Sequence, residues 1–265
     1  VYALGNAMGT TVLEYHDISD AMEADMTMDG VSRSKGDRPD FGPKYLPIPI
    51  IHSDYEINAR VLAASRSLGN PLDTTMAEMA ARKVAEKLEA LLFTNTDGKG
   101  GTGGYSFGGG TIYSYLNHPD RNQVSLGTAW TADTAANILA DVDAMKQASI
   151  DAKHYGPWML YIPTAYEVML DKDYDSTTAT GRTIRERITQ IAGIKGIKVI
   201  DTLTAGNVLL VQMTSDVVRL VRGMGVQSVQ WDTEGKFVSK FKCLTIQVPQ
   251  VRSDQDGNSG VTHLA

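Results

Sequence analysis

Between Thr75 and Phe93 apolar residues return at helical spacing: Met76, Ala80, Val84, Leu88 and Leu91, widened by Met79 and Leu92. Arg82, Lys83, Glu86, Lys87 and Glu89 fill much of the opposite side. The pattern predicts an amphipathic helix, which buries its apolar stripe against another layer. Thr75 followed by Glu78 fits a capping box, and Thr94-Asn95-Thr96-Asp97-Gly98 provides the stop. Some twenty residues of helix span ~30 Å, enough to form the spine of a domain. Whatever else the chain does, it must supply a layer for that stripe.

The rest of the chain is able to do so. Its 265 residues are 42% hydrophobic and 21% charged, a balance that argues against wholesale disorder. No run approaches the ~20 apolar residues needed to cross a bilayer. Val1 to Gly9 lack the basic start of a secretory signal. The lone Cys243 cannot build an internal disulfide framework. A net charge of −6 without a long basic run argues against tight binding to phosphate backbones.

Residues 10–29 read as extended chain, and Val31 to Tyr45 turns polar and breaker-rich around Gly36, Pro39, Gly42 and Pro43. Leu46 to Ile51 resumes an apolar run whose two prolines place it at an edge. Together these pieces predict a long two-stranded ribbon. Such a ribbon is marginal alone in water and must lie on something else. Its charge is divided: Glu14, Asp17, Asp20, Glu23, Asp25 and Asp29 come first, then Arg33, Lys35, Arg38 and Lys44. Two solvated faces of one hairpin account for this, and so does complementarity between neighbouring copies of the chain.

After the spine helix, Gly98 to Gly110 reads as a glycine-rich loop and Ile112 to Leu116 as a strand. A helix is expected from about Thr131 to Ala152, with shorter ones at Thr164–Leu170 and Thr183–Ala192. Strands are expected at Trp158–Ile162, Ile197–Ile200 and Val208–Met213. This alternation marks an α/β layer unit. Val226 to Val251 is extended, with hairpin signals at Asp232-Thr233-Glu234-Gly235, and the tail after Arg252 looks loose.

Two motifs suggest chemistry. Gly98, Gly100 and Gly103 satisfy G-x-G-x-x-G, but a dinucleotide site needs that pattern between a strand and a helix. Here a helix precedes it. Gly104-Tyr105-Ser106-Phe107-Gly108 matches the G-x-S-x-G nucleophile elbow, which requires a strand-to-helix turn around the serine. Three glycines follow where the helix should begin, so a serine hydrolase acting through Ser106 is the remote alternative. The five histidines, His16, His52, His118, His154 and His263, show no metal-ligand spacing, and His118 sits in the turn-forming string Asn117-His118-Pro119-Asp120. Cys243 reads as a small strand hydrophobe. No catalytic, metal or cofactor site is expected.

The organisation then becomes informative. Leu46-Pro47-Ile48, Asp54-Tyr55-Glu56-Ile57, Pro71-Leu72-Asp73, and Ala80-Ala81-Arg82-Lys83-Val84-Ala85-Glu86 running to Leu92-Phe93 follow one another. With Gly156-Pro157-Trp158, Ile197-Lys198-Val199-Ile200 and Phe237 to Val248, this series resembles the major capsid proteins of tailed phages, of the Hong Kong phage type, and the related encapsulin shell proteins. The resemblance covers nearly the whole chain. It implies an α+β fold with an N-terminal arm remnant (1–9), an extended β-hairpin loop (10–57), a peripheral domain with the spine helix (58–125 and 222–265) and an α/β axial domain (126–221).

It further implies a structural protein without enzymatic activity, many copies of which form an icosahedral shell around a phage genome. The alternative is an encapsulin-type nanocompartment enclosing cargo enzymes. The implied location is the virion, with assembly in the host cytoplasm and no membrane contact. Implied partners are further copies of the chain, with portal, scaffolding or decoration proteins, and DNA held without sequence-specific binding. Glu23, Asp25, Asp29, Arg33, Lys35 and Arg38 are the expected inter-subunit contacts. Asp171, Lys172, Asp173, Asp175 and Arg182 are the expected vertex loop. Encapsulins carry an N-terminal helix, which is not seen ahead of Thr10. A start at Val1 fits either proteolytic maturation or an N-terminal segment missing from this sequence.

Overall fold

The computed structural model describes residues 1–18, 26, 28, 41–69, 72–94, 103–174, 181–254 and 256–265. In chain order the elements are β1 (Tyr2–Ala3), β2 (Val12–Ile18), β3 (Phe41–Pro47), β4 (Ile51–Asn58), α1 (Ala59–Ser67), α2 (Leu72–Phe93), β5 (Tyr105–Phe107) and β6 (Gly110–Ile112). There follow β7 (Asn122–Val124), α3 (Ala135–Asp151), β8 (Trp158–Pro163), α4 (Glu167–Leu170), α5 (Ile184–Thr189) and β9 (Ile194–Ile200). Last come β10 (Val208–Gln212), β11 (Val218–Thr233), β12 (Val238–Val251) and β13 (Val261–Leu264). The fold class is α+β, as expected. Two compact units divide the chain: Val1–Leu13, Pro47–Ser114 and Arg219–Gln250 in one, Glu14–Leu46, Tyr115–Val218 and Val251–Ala265 in the other.

The first unit is a four-stranded sheet, β1-β11-β12-β4, with α2 packed on β4. The period-2 geometry of β4 sorts its residues between two environments. Ile51 and Ile57 are buried, while His52, Asp54, Glu56 and Asn58 are exposed. Antiparallel register puts Tyr55 opposite Phe241, and the two rings stack at 4.9 Å and 6°. Ala80, Val84 and Leu91 of α2 bury against Ile51 and Cys243. The stripe read from the sequence is therefore the packed face. Its centre is Val84, since Leu88 is only partly buried.

Two local expectations shift here. α2 begins at Leu72, so Thr75 and Glu78 lie inside the helix and do not cap it. A capping box states only a local preference, and the helix propagates through it where the preceding residues take up helical geometry. The expected strand Leu46–Ile51 is the junction of two strands, β3 ending at Pro47 and β4 starting at Ile51. Pro47 and Pro49 lack N–H donors, so the ladder breaks where they fall. β2 and β3 form the two-stranded sheet of the expected ribbon.

The second unit is a five-stranded mixed sheet, β7-β13-β10-β8-β9. Ile138, Val142 and Met145 of α3 enter a core with Trp130, Leu160, Ile162, Tyr166, Ile188, Leu210 and Leu264. Fully burying a large apolar side chain contributes ~1.5–3 kcal/mol, so this cluster dominates the unit's stability. Thr134 caps α3 by accepting from Asn137 N–H at 3.3 Å, and Thr183 caps α5 by accepting from Glu186 N–H at 3.3 Å. Trp158 donates from its indole to Ser149 Oγ at 2.9 Å. Its ring lies against Gly193, whose φ of +92° and absent side chain are both required: a Cβ there would meet the ring at 2.6 Å. The tail expected to be loose is the largest correction. β13 is buried throughout and pairs with β10 and β7 inside this sheet.

Candidate assembly surfaces

One side of the first unit's sheet is polar and open. The β4–β12 register sets Asp54 opposite Lys242 and Glu56 opposite Lys240, giving ion pairs at 3.3 and 3.7 Å. Both are at least partly solvent-exposed, so each contributes ~1 kcal/mol or less. Trp231 of β11 borders the same charged row, lining a groove with Asp54, Glu56 and Lys240. Along β11, Val226 and Val229 are also exposed. Sequence reasoning made this segment a strand but not a surface, because alternation gives a strand its two faces without saying what covers either.

The expected vertex loop has an ordered base. Asp173 bridges Thr183, Tyr174 N–H donates to Arg182 O at 2.9 Å, and Ile184 N–H donates to Lys172 O at 3.1 Å. Arg185 Nε donates to Asp171 at 2.8 Å, and the Arg187 guanidinium lies 4.6 Å from the Tyr174 ring centre. Asp171, Lys172, Asp173 and Arg182 thus form one clasp. Asp175 lies outside the described residues. So do Glu23, Asp25, Asp29, Arg33, Lys35 and Arg38 of the ribbon.

Ser106 belongs to β5, a three-residue strand paired with β6 and therefore not the loop that the sequence suggested. Its hydroxyl shares a 2.8 Å hydrogen bond with Thr111 Oγ1 across this small hairpin. The glycines at 108 and 109 have φ of +59° and +81°, as a tight hairpin connection demands. A hairpin supplies neither the strained strand-to-helix turn nor the helix that the elbow motif needs. Cys243 is buried, and burial pushes its thiol upward, away from the reactive thiolate.

Two of the histidines, His118 and His263, are occupied structurally. His118 Nδ1 accepts from Asp120 N–H at 3.3 Å, the side-chain-to-backbone role expected of a turn. His263 lies between Arg121 and Asn207. Arg121 Nε donates to His263 Nδ1 at 3.3 Å, so Nε2 carries the proton toward Asn207 Oδ1 at 2.8 Å. Burial, reinforced by the Arg121 charge, pushes His263 down to about 4. Among the described residues no group of three or more His, Cys, Asp and Glu side chains could hold a metal ion. No helix among them is long and apolar enough to cross a membrane.

The fold, with a spine helix on a four-stranded sheet, a two-stranded sheet and a five-stranded mixed sheet, is the Hong Kong phage-type capsid fold shared by the following solved structures. The capsid of Myoviridae Phage XM1 superposes with a TM-score of 0.76 at 9% identity, covering 100% of this chain and 88% of that one. The virus-like particle from Pyrococcus furiosus gives 0.69 at 18% identity, over 100% of this chain and 89% of that one. A protein of Mycobacterium phage Ogopogo gives 0.60 at 13%, over 96% and 86%. Residues 7–264 match a family of unknown function, DUF6260, and the chain belongs to that family. No curated protein matches it in sequence.

Proposed function

We propose that this protein is the structural subunit of a tailed-phage capsid, self-assembling in many identical copies into a closed icosahedral shell around the genome. The observation that carries the reading is the match of the whole chain to the fold of the Phage XM1 capsid. The physics agrees with it. A two-stranded ribbon of β2 and β3 is marginal alone and gains stability by lying on a neighbouring copy. Contacts of that heterologous kind close only through symmetry. The role is structural and not enzymatic, and the context of Ser106 in a β-hairpin favours this.

Within the shell, residues 10–57 form the extended loop. The peripheral domain comprises 58–125 and 222–265 around α2, and the axial domain 126–221 around α3, with β13 paired into the five-stranded sheet. The clasp of Asp171, Lys172, Asp173 and Arg182 holds a loop, with Asp175 within it, that gathers at the vertices. Glu23, Asp25 and Asp29 face Arg33, Lys35 and Arg38 of an adjacent copy. Portal, scaffolding or decoration proteins are further partners, and assembly takes place in the host cytoplasm before the subunit becomes part of the virion.

The likeness to the Pyrococcus furiosus virus-like particle favours a second reading, a nanocompartment enclosing cargo enzymes. Electron microscopy of particles from the native source separates the two. Tailed, DNA-filled shells support the first reading, tailless protein-filled shells the second, and the absence of any particle overturns both. Reversing Arg33, Lys35 and Arg38 to Glu tests the ribbon contact. Shells should fail to form or become strongly salt-dependent, and normal shells at low and high salt alike would end that assignment.

A further inference from the structure

One side chain of the five-stranded sheet is gripped by two segments far from it in sequence. His263 of β13 is buried. By strand alternation it points away from Leu264, which joins residues of α3, α4 and α5 in the core. On its own face the ring meets Asn207, in the turn before β10, and Arg121, in the turn before β7.

The two grips respond differently to a proton. Asn207 Oδ1 accepts from Nε2–H at 2.8 Å, a bond that the ring makes whether neutral or charged. Arg121 Nε donates to Nδ1 at 3.3 Å, which only the neutral ring allows, because imidazolium keeps no lone pair on Nδ1. Protonation thus preserves the first contact and sets two cationic N–H donors against each other in the second. The residues in register with His263, Leu209 on β10 and Gln123 on β7, are uncharged. The turn itself carries His118 and Asp120, but Asp120 N–H donates to His118 Nδ1 and Ser253 Oγ donates to the Asp120 carboxylate. No carboxylate among the described residues is paired with His263 to take up its charge.

We propose that Arg121 and His263 form an acid-released latch, which holds the turn Asn117–Arg121 on the sheet while the ring is neutral and frees it once the ring is charged. Arg121 carries the turn with it, since its Nη1 and its backbone N–H donate to His118 O at 3.0 and 3.3 Å. β7 stays behind. Asn122, Gln123 and Val124 keep their register with β13, and Asn122 Nδ2 donates to Ser259 O at 2.8 Å. Pro119 is already exposed, and Asn117, Asp120 and Arg121 are half-buried, so the turn has solvent to move into. Burial and the Arg121 charge hold His263 down to about 4, against 6.5 for the ordinary group that a released turn leaves. Opening therefore becomes easier as pH falls from 6.5 towards about 4, and changes no further below that.

Hydrogen exchange on the purified full-length chain, corrected for the intrinsic pH dependence of exchange, is the test. Amides of residues 117–121 should lose protection at least about tenfold between pH 6.5 and about pH 4, while those of β10 keep theirs. His263→Gln retains an acceptor for Arg121 and takes up no proton, so the turn should stay closed throughout. Arg121→Gln should also abolish the acid step, because its amide turns from donor to acceptor when the ring is charged. That variant decides the matter should His263→Gln fail to fold. Release that persists unchanged in either variant assigns the step to His118 or Asp120 and overturns the latch. Loss of β10 protection over the same range makes the event global unfolding and overturns it equally. So does a parent chain whose 117–121 amides are as protected in acid as at neutral pH.

Discussion

β10 and the distal part of β11 have similar residues and opposite fates. Val208-Leu209-Leu210-Val211-Gln212 is buried throughout, paired on one side with β8 and on the other with β13. Val226-Gln227-Ser228-Val229-Gln230-Trp231 is exposed throughout, and among the described residues only β12 lies beside it. Both are strands, because β-branched and aromatic residues suit a pleated backbone. What differs is the supply of neighbours. The second unit furnishes its own, down to the last residues of the chain, whereas in the first no second strand among the described residues flanks this stretch. Stability is expected to reside in the former region and assembly in the latter.

The sharpest way to break that contrast is to put a charge in each strand. Leu210 is fully buried, so Leu210→Asp leaves an uncompensated carboxylate in the core at a cost of several kcal/mol, a large part of a domain's ~5–15 kcal/mol. Chemical denaturation should find the protein largely unfolded. A charge at Val229 should move the same midpoint by no more than ~0.5 kcal/mol. If the two variants unfold alike, the division of labour between the strands is wrong.

A smaller loss is expected at Gly193, where alanine must adopt a φ of +92° and displace the Trp158 ring. Gly193→Ala should destabilise by ~1–3 kcal/mol, with a blue or red shift of tryptophan fluorescence as that ring moves. An alanine at Gly127, with nothing within 4 Å of its would-be Cβ, is the control.

His263 on β13 ties the second unit to pH. Its folded value of about 4 lies below the ordinary 6.5, so the unfolded chain takes up a proton first as pH falls. The neutral histidine's contribution is complete above pH 6.5, is lost progressively down to about pH 4, and changes no further below that. Allowing for solvent screening, the loss is ~1–2 kcal/mol. Comparing unfolding midpoints of the parent and His263→Gln across this window should show a slope in the parent that the variant lacks in part. Smallest of all is the Asp54–Lys242 pair, for which a double-mutant cycle should return ~0.2–1 kcal/mol, reduced further by salt.

Much of the fold was legible because it is written in short-range periodicity. The stripe on α2 needs only neighbours three and four apart, and Ala80, Val84 and Leu91 are indeed its buried members. α3, β8 and β10 were marked in the same way. What escaped notice were features set by distant residues. Ser106 was read as part of a loop because two three-residue strands carry almost no periodicity of their own. Asp254-Gln255-Asp256-Gly257-Asn258 made the tail look loose, although Val261 to Leu264 beyond it is as buried as any strand.

The sequence by itself determined the longer helices and strands, since each depends on local backbone preference and side-chain period. Only the tertiary structure decided that His263 is held between Arg121 and Asn207, that Gly193 must lack a side chain, and that β11 runs on past its pairing with β1. Those outcomes depend on residues far apart in the chain arriving at one place, or on none arriving, and pairing across such distances leaves no mark in a local pattern.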